Sequence, residues 1–171
     1  MQSRIVSGLV GGLLVLSLGA TPALAAPGAE AGAETVQDLS FHKSRTVVTV
    51  DAGATAAFDF FGITLDALRP ASGGASTYTF PACVRRNGVT ELAGGLKFTA
   101  NAKSVKVNSV VINTRTDVVK AVVAGRRVDL FTLDGQHLVL TTAGADALNK
   151  GLGFDALFAE GFVFGGYATT K

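Results

Sequence analysis

Cysteine is almost absent. Cys83 is the only one, so no disulfide can form within the chain and the fold must stand on its apolar core. Cys83 itself reads as a small apolar filler, with an intermolecular disulfide as the alternative. Tryptophan is missing, and there are two histidines, His42 and His137, and two tyrosines, Tyr78 and Tyr167. A protein metal site needs three or four ligands. His42 sits in a polar stretch and His137 in the turn Asp134-Gly135-Gln136-His137, so neither has ligand partners at metal-site spacing and no metal is expected. Neither a G-x-S-x-G nucleophile elbow nor a G-x-x-x-x-G-K-[ST] phosphate loop is present. The serines nearest a histidine, Ser40 and Ser44, flank His42 in the least patterned part of the chain. No catalytic residue is expected on these grounds.

Neither sign of charge dominates: 15 lysines and arginines stand against 13 acidic side chains. The pI of 8.9 is set by that small excess. The longest basic runs are Arg85-Arg86 and Arg126-Arg127, both reading as turns. Nucleic-acid binding asks for a clustered positive face, and none is visible along the chain, so a nucleic-acid partner is not expected. The aspartates Asp51, Asp66, Asp117, Asp129, Asp134, Asp146 and Asp155 fall at caps, turns and element edges, their ordinary structural places. A hydrolase built from two of them meeting in space is the one catalytic alternative.

What is present begins with an export pattern. Arg4 and the amino terminus form a short positive region, Ile5 to Ala20 is apolar and uncharged, and Thr21-Pro22-Ala23-Leu24-Ala25 ends on the small residues a signal peptidase reads. The apolar run holds four glycines and is short for a spanning helix, which needs about 20 mostly apolar residues. We read residues 1–25 as a signal peptide cleaved after Ala25, and the product as secreted or extracellular, with no membrane span after cleavage. Residues 26–44 open with Ala-Pro-Gly-Ala-Glu-Ala-Gly-Ala-Glu, which cannot bury a core and reads as a flexible spacer.

Residues 45–171 read as one β-rich domain. Thr46–Val50 is β-branched throughout and reads as a strand. Asp51 is a good N-cap for a helix over Ala52–Phe61 with Ala54, Ala57, Phe58 and Phe61 at helical spacing, closed by Gly62. Ile63–Leu68 looks extended and stops at Arg69-Pro70; residues 71–75 form a loop; Thr77–Phe80 is a strand stopped by Pro81; Asn87-Gly88 marks a turn. From Leu96 to Leu133 short alternating strands follow one another with polar turns. Thr141 or Thr142 caps a helix that Gly151 ends, residues 153–160 read as a second helical turn, and Phe162–Phe164 begins a terminal strand bent at Gly165-Gly166. The expected fold is therefore mainly β: an antiparallel β-sandwich or open barrel with two or three short helices. Its core should hold Val48, Val50, Phe58, Phe61, Phe80, Leu96, Phe98, Val107, Ile112, Val122, Leu130, Leu140, Leu148, Phe162 and Phe164.

Tyr78-Thr79-Phe80-Pro81, Gly94-Gly95-Leu96-Lys97-Phe98-Thr99, Val105-Lys106-Val107 with Val110-Val111-Ile112, and the stretch from Leu140 to Asn149 together resemble secreted Gram-positive bacterial proteins with haem-transport-associated (HtaA-type) domains. The resemblance spans about Thr46 to Thr169 and is strongest to small, solitary members. It implies a β-rich cell-surface domain and, in the haem-binding members, a tyrosine ligand on an N-terminal helix with a supporting histidine after the strand equivalent to Leu96–Thr99. The present sequence departs at both places: Ala52–Phe61 carries phenylalanines, and Thr99–Lys103 has no histidine. The haem site therefore does not carry over residue by residue and no cofactor is expected. Haem is the alternative the resemblance implies, with Tyr78 and Tyr167, which read as core and rim packing, the remaining candidate ligands. The leading expectation is a non-enzymatic module binding an extracellular or cell-wall partner.

Overall fold

A computed structural model describes residues 44–171; the segment read as a signal peptide with its expected cleavage site, the expected spacer up to Lys43, and His42 lie outside the described residues. β1 (Ser44–Val50) leads into α1 (Ala52–Phe60). β2 (Thr64–Leu68), β3 (Ser72–Gly74), β4 (Thr77–Val84), β5 (Val89–Leu92), β6 (Gly95–Ala100), β7 (Lys103–Asn113), β8 (Val118–Val123), β9 (Arg126–Asp134) and β10 (His137–Leu140) follow. α2 (Thr142–Leu152) then precedes the last strand, β11 (Val163–Thr170).

All pairings are antiparallel, and eight strands close on themselves in the order β7-β5-β4-β1-β11-β10-β9-β8 and back to β7. The fold is mainly β, and the architecture is an eight-stranded closed barrel with extra strands, which fits the barrel expectation loosely; a sandwich is not observed. The reason lies in β7. Its 11 residues carry a bulge between Asn108 and Val111, with Ser109 at φ 50, so its two halves serve different partners. Val111–Asn113 pairs with β5, whereas Lys103–Asn108 pairs with β6 on the same edge. β4 is shared in the same way by β5 and β3. Beyond β5 the strands β4 and β7 therefore part, and β6, β2 and β3 fill the space between them. Both helices cover this flared end: α1 leaves the end of β1, and α2 leaves the end of β10 and reaches β7 and β6.

Inward residues alternate along the strands. In β1, Thr46, Val48 and Val50 are buried; in β4, Tyr78, Phe80 and Ala82. β9 breaks the alternation, because a register shift opposite Val119 and Lys120 turns both Leu130 and Phe131 inward. The freed Leu130 carbonyl accepts the Thr141 N–H at 3.1 Å and so seats the start of α2. Eight-stranded barrels are just wide enough for side chains to fill. Here the interior holds one cavity of about 40 Å³, walled by apolar side chains including Val48, Phe80, Ile112, Leu130 and Phe164.

Most expected core positions are buried, with three exceptions. Phe61 is 43% exposed, Val122 points outward beside Arg127 on β9, and Phe162 is half-buried. Four element expectations also change. Residues 71–75 contain the short strand β3. Pro81 does not stop β4, because its missing N–H falls opposite the break between β5 and β6, where only its carbonyl is used, accepting from Ala93. α2 runs through Gly151 to Leu152 and ends at Gly153 in the left-handed region. Residues 153–160 form bends and turns rather than a helix. Two helices are thus observed among the described residues, and none is long and apolar enough to cross a membrane.

Candidate functional site

Among the described residues, the large apolar side chains that stand furthest into solvent are at the end of α1. Asp51 caps the helix by accepting the Gly53 N–H at 2.8 Å. Ala54 and Phe58, one turn apart, face the barrel. Phe58 is the hub of the flared end: its ring centroid lies 6.1–6.3 Å from those of Phe98, Phe158, Phe162 and Phe164. Two residues on, at about 200° around the helix, Phe60 must point away. It is 84% exposed. Phe61 closes the helix and stands edge-on to Phe60 at 5.0 Å and to Phe154 at 6.3 Å.

Beside this aromatic tip opens an apolar pocket of about 120 Å³, lined by Ala57, Phe58, Phe61, Ile63, Phe158 and Phe162. Its far wall is held by Asn149 on α2. The Asn149 side chain is buried, donates to the Phe158 carbonyl at 2.8 Å and accepts the Phe158 N–H at 2.8 Å. The irregular segment after α2 is therefore pinned where a helix is not available to hold it. Val163, next to Phe162 in the chain, is 40% exposed. Asp59 and Asp155 are exposed next to Phe60 and Phe154 in the chain.

The residues singled out from the sequence do not meet here. Tyr78 is fully buried on β4 and donates its hydroxyl to the carbonyls of Leu65 at 3.1 Å and Ala75 at 3.3 Å. It reaches under β3 to β2 and ties the two together where they share no ladder. Burial, with Asp66 adding to it, raises its pKa above the ordinary tyrosine value. Tyr167 is half-buried on β11 opposite Val48, toward the barrel end away from the helices; burial and then Asp117 raise its pKa too. His137 is exposed at the start of β10, and Cys83 is half-buried on β4 opposite Glu91 rather than fully buried. The seven aspartates weighed as catalytic candidates are all exposed. Among the described residues no three His, Cys, Asp or Glu side chains come together as a metal site would require.

The aromatic tip was legible only in part. Phe58, Phe60 and Phe61 cannot all face one core from one short helix, because their directions differ by up to about 160°. That conflict is in the sequence; which ring loses is decided by packing. Compared with known proteins, the chain matches no family model, no curated protein and no solved structure.

Proposed function

We propose that this chain is a non-enzymatic binding module that acts outside the cytoplasm and takes an apolar ligand at the aromatic tip of α1. The observation that carries this is Phe60, 84% exposed beside a phenylalanine-walled pocket of about 120 Å³. An aromatic ring left in water forgoes about 1.5–3 kcal/mol of burial, and an apolar patch of this kind marks an interaction site. The export pattern of residues 1–25 supports an extracellular setting. A hydrophobic fluorophore such as anilinonaphthalene sulfonate tests the reading. The native chain should bind it saturably, and Phe60→Ser with Phe61→Ser should lose that binding while unfolding at the same temperature. Unchanged dye binding in the variant, or substrate turnover in an activity screen, would overturn the proposal.

A planar macrocycle such as haem is the second reading, favoured by the two ring faces beside an open apolar pocket. The pocket is below the ~300–1,000 Å³ of an enclosing ligand site, so the macrocycle would lie against the tip rather than inside the barrel. No tyrosine lines the pocket. Titration with haemin should then give a Soret shift that saturates near one equivalent, survives Tyr78→Phe and Tyr167→Phe, and disappears in Phe60→Ser with Phe61→Ser. No shift at all would retire it.

A further inference from the structure

The short basic runs of the sequence look scattered, but the barrel gathers three cations, Arg126, Lys150 and Lys103, at the tip of the β8–β9 hairpin and the adjoining end of α2, with Arg127 and Lys106 on the outer face of the same edge. Arg126 and Lys150 line a groove of about 380 Å³ between hairpin and helix. Arg127, next on β9, points to the opposite face of the strand, beside Val122. The Lys106 carbonyl accepts the Ala124 N–H at 3.4 Å, which places β7 against the hairpin turn, and the Lys106 side chain, between buried Val105 and Val107, lies on that outer face too. Lys103, at the start of β7, lays its ammonium group over Gly153, three residues past Lys150. All five side chains belong to exposed residues.

None of them is in an ion pair: among the described residues the pairs are Arg85–Glu91, Lys97–Asp66 and Lys120–Asp129. Lys97, which faces Lys106 across β6 and β7, is thus neutralised while Lys106 is not. The groove contains one acid, Asp146. The other acids of the helix-bearing end, Asp51, Asp59, Asp155 and Glu160, belong to α1 and to the segment before β11. The described residues carry a small excess of positive charge, and it resides on this crest.

We propose that the crest binds a linear, phosphate-bearing anionic polymer of the cell envelope and so retains the chain at the cell surface. Like charges gathered without counter-ions repel one another, and a polyanion removes that cost while releasing its own condensed counter-ions. The cations are spread over β7, β9 and α2 rather than focused on one point, which suits successive phosphates on a chain and not a single anion. The site is also a groove with an apolar floor of Val123, Val128 and Ala147. A thin polymer strand enters such a groove, whereas a flat bilayer or a wide duplex meets only its lips.

Long-chain inorganic polyphosphate, labelled at one end and followed by fluorescence anisotropy, is the probe. Binding should saturate and weaken about ten- to hundredfold between 50 and 200 mM salt, as three to five released counter-ions require. Arg126→Ala with Lys150→Ala should weaken it at least tenfold, and Arg127→Ala alone should weaken it less. Arg85→Ala, which breaks a surface pair elsewhere, should leave it unchanged. The proposal fails if the double variant binds like the parent or if Arg85→Ala weakens binding as much. It also fails if phosphatidylglycerol vesicles or a DNA duplex are bound more tightly than polyphosphate at the same salt. These variants leave the aromatic tip intact, so dye binding there reports separately on the proposed function.

Discussion

Asn149 shows how one polar side chain can hold a segment that has no regular structure. Both of its amide groups are used on the backbone of Phe158, inside an otherwise apolar end. Asn149→Ala would strand a buried N–H and a buried carbonyl, each costing about 1–3 kcal/mol. A loss of about 2–4 kcal/mol in urea unfolding is expected, together with a weaker tip pocket, because Phe158 forms its wall. The tyrosines give a pH signature. Both have raised pKa values in the folded chain, chiefly through burial. The folded state therefore holds their protons more tightly than the unfolded state. That preference is fully present below about pH 10, the ordinary tyrosine value, and is lost as pH rises through the raised values. Absorbance of phenolate at 295 nm should rise later than for free tyrosine, and stability should fall above pH 10. Tyr78→Phe should flatten that fall while costing stability at neutral pH through the lost ties to Leu65 and Ala75.

At the scale of elements, α2 is placed by glycine rather than by large side chains. Gly144 lies directly over the Leu130 backbone, and Gly151 over the side chain of Val105, leaving no space for a Cβ at either position. The helix can then lie flat against the barrel wall, with Leu148 and Leu152 reaching the core. Alanine at 151 would favour the isolated helix by about 1 kcal/mol. Against the barrel it must displace Val105, a buried residue, and overpacking of this kind costs about 1–3 kcal/mol. Gly151→Ala is therefore expected to lower the urea midpoint by a measurable amount with an unchanged slope. A raised midpoint would show that α2 can lift away from β7.

For the whole molecule, closure of the barrel decides where binding can occur. An eight-stranded ring filled by its own side chains leaves a cavity of about 40 Å³, so the proposed ligand sites lie on the outer surface of the helix-bearing end. That end carries an exposed aromatic tip and a basic crest on different elements. The export reading belongs to this scale too. Chain recovered from culture medium should have an intact mass that starts at Ala26. Recovery of the full-length chain from the membrane fraction would contradict cleavage after Ala25.

Local chemistry by itself determined the strand-rich character, the Asp51 helix cap and a threonine cap at 141 or 142, most inward residues and the expectation of export. These depend on neighbours in the chain: β-branched runs, period-two alternation, a cap oxygen next to free N–H groups. Only the tertiary structure decided what depends on distant partners. The bulge that splits β7 between β5 and β6 closes a barrel where a sandwich was equally consistent with the strand pattern. Tyr78 looks like any strand aromatic until Leu65 and Ala75 supply its hydrogen-bond partners. Phe61, at core spacing, is left half in solvent because Phe58 already fills the space among four phenylalanines. Arg126, Lys150 and Lys103 stand far apart along the chain and become one surface because antiparallel pairing and the crossing of α2 bring three elements to the same edge.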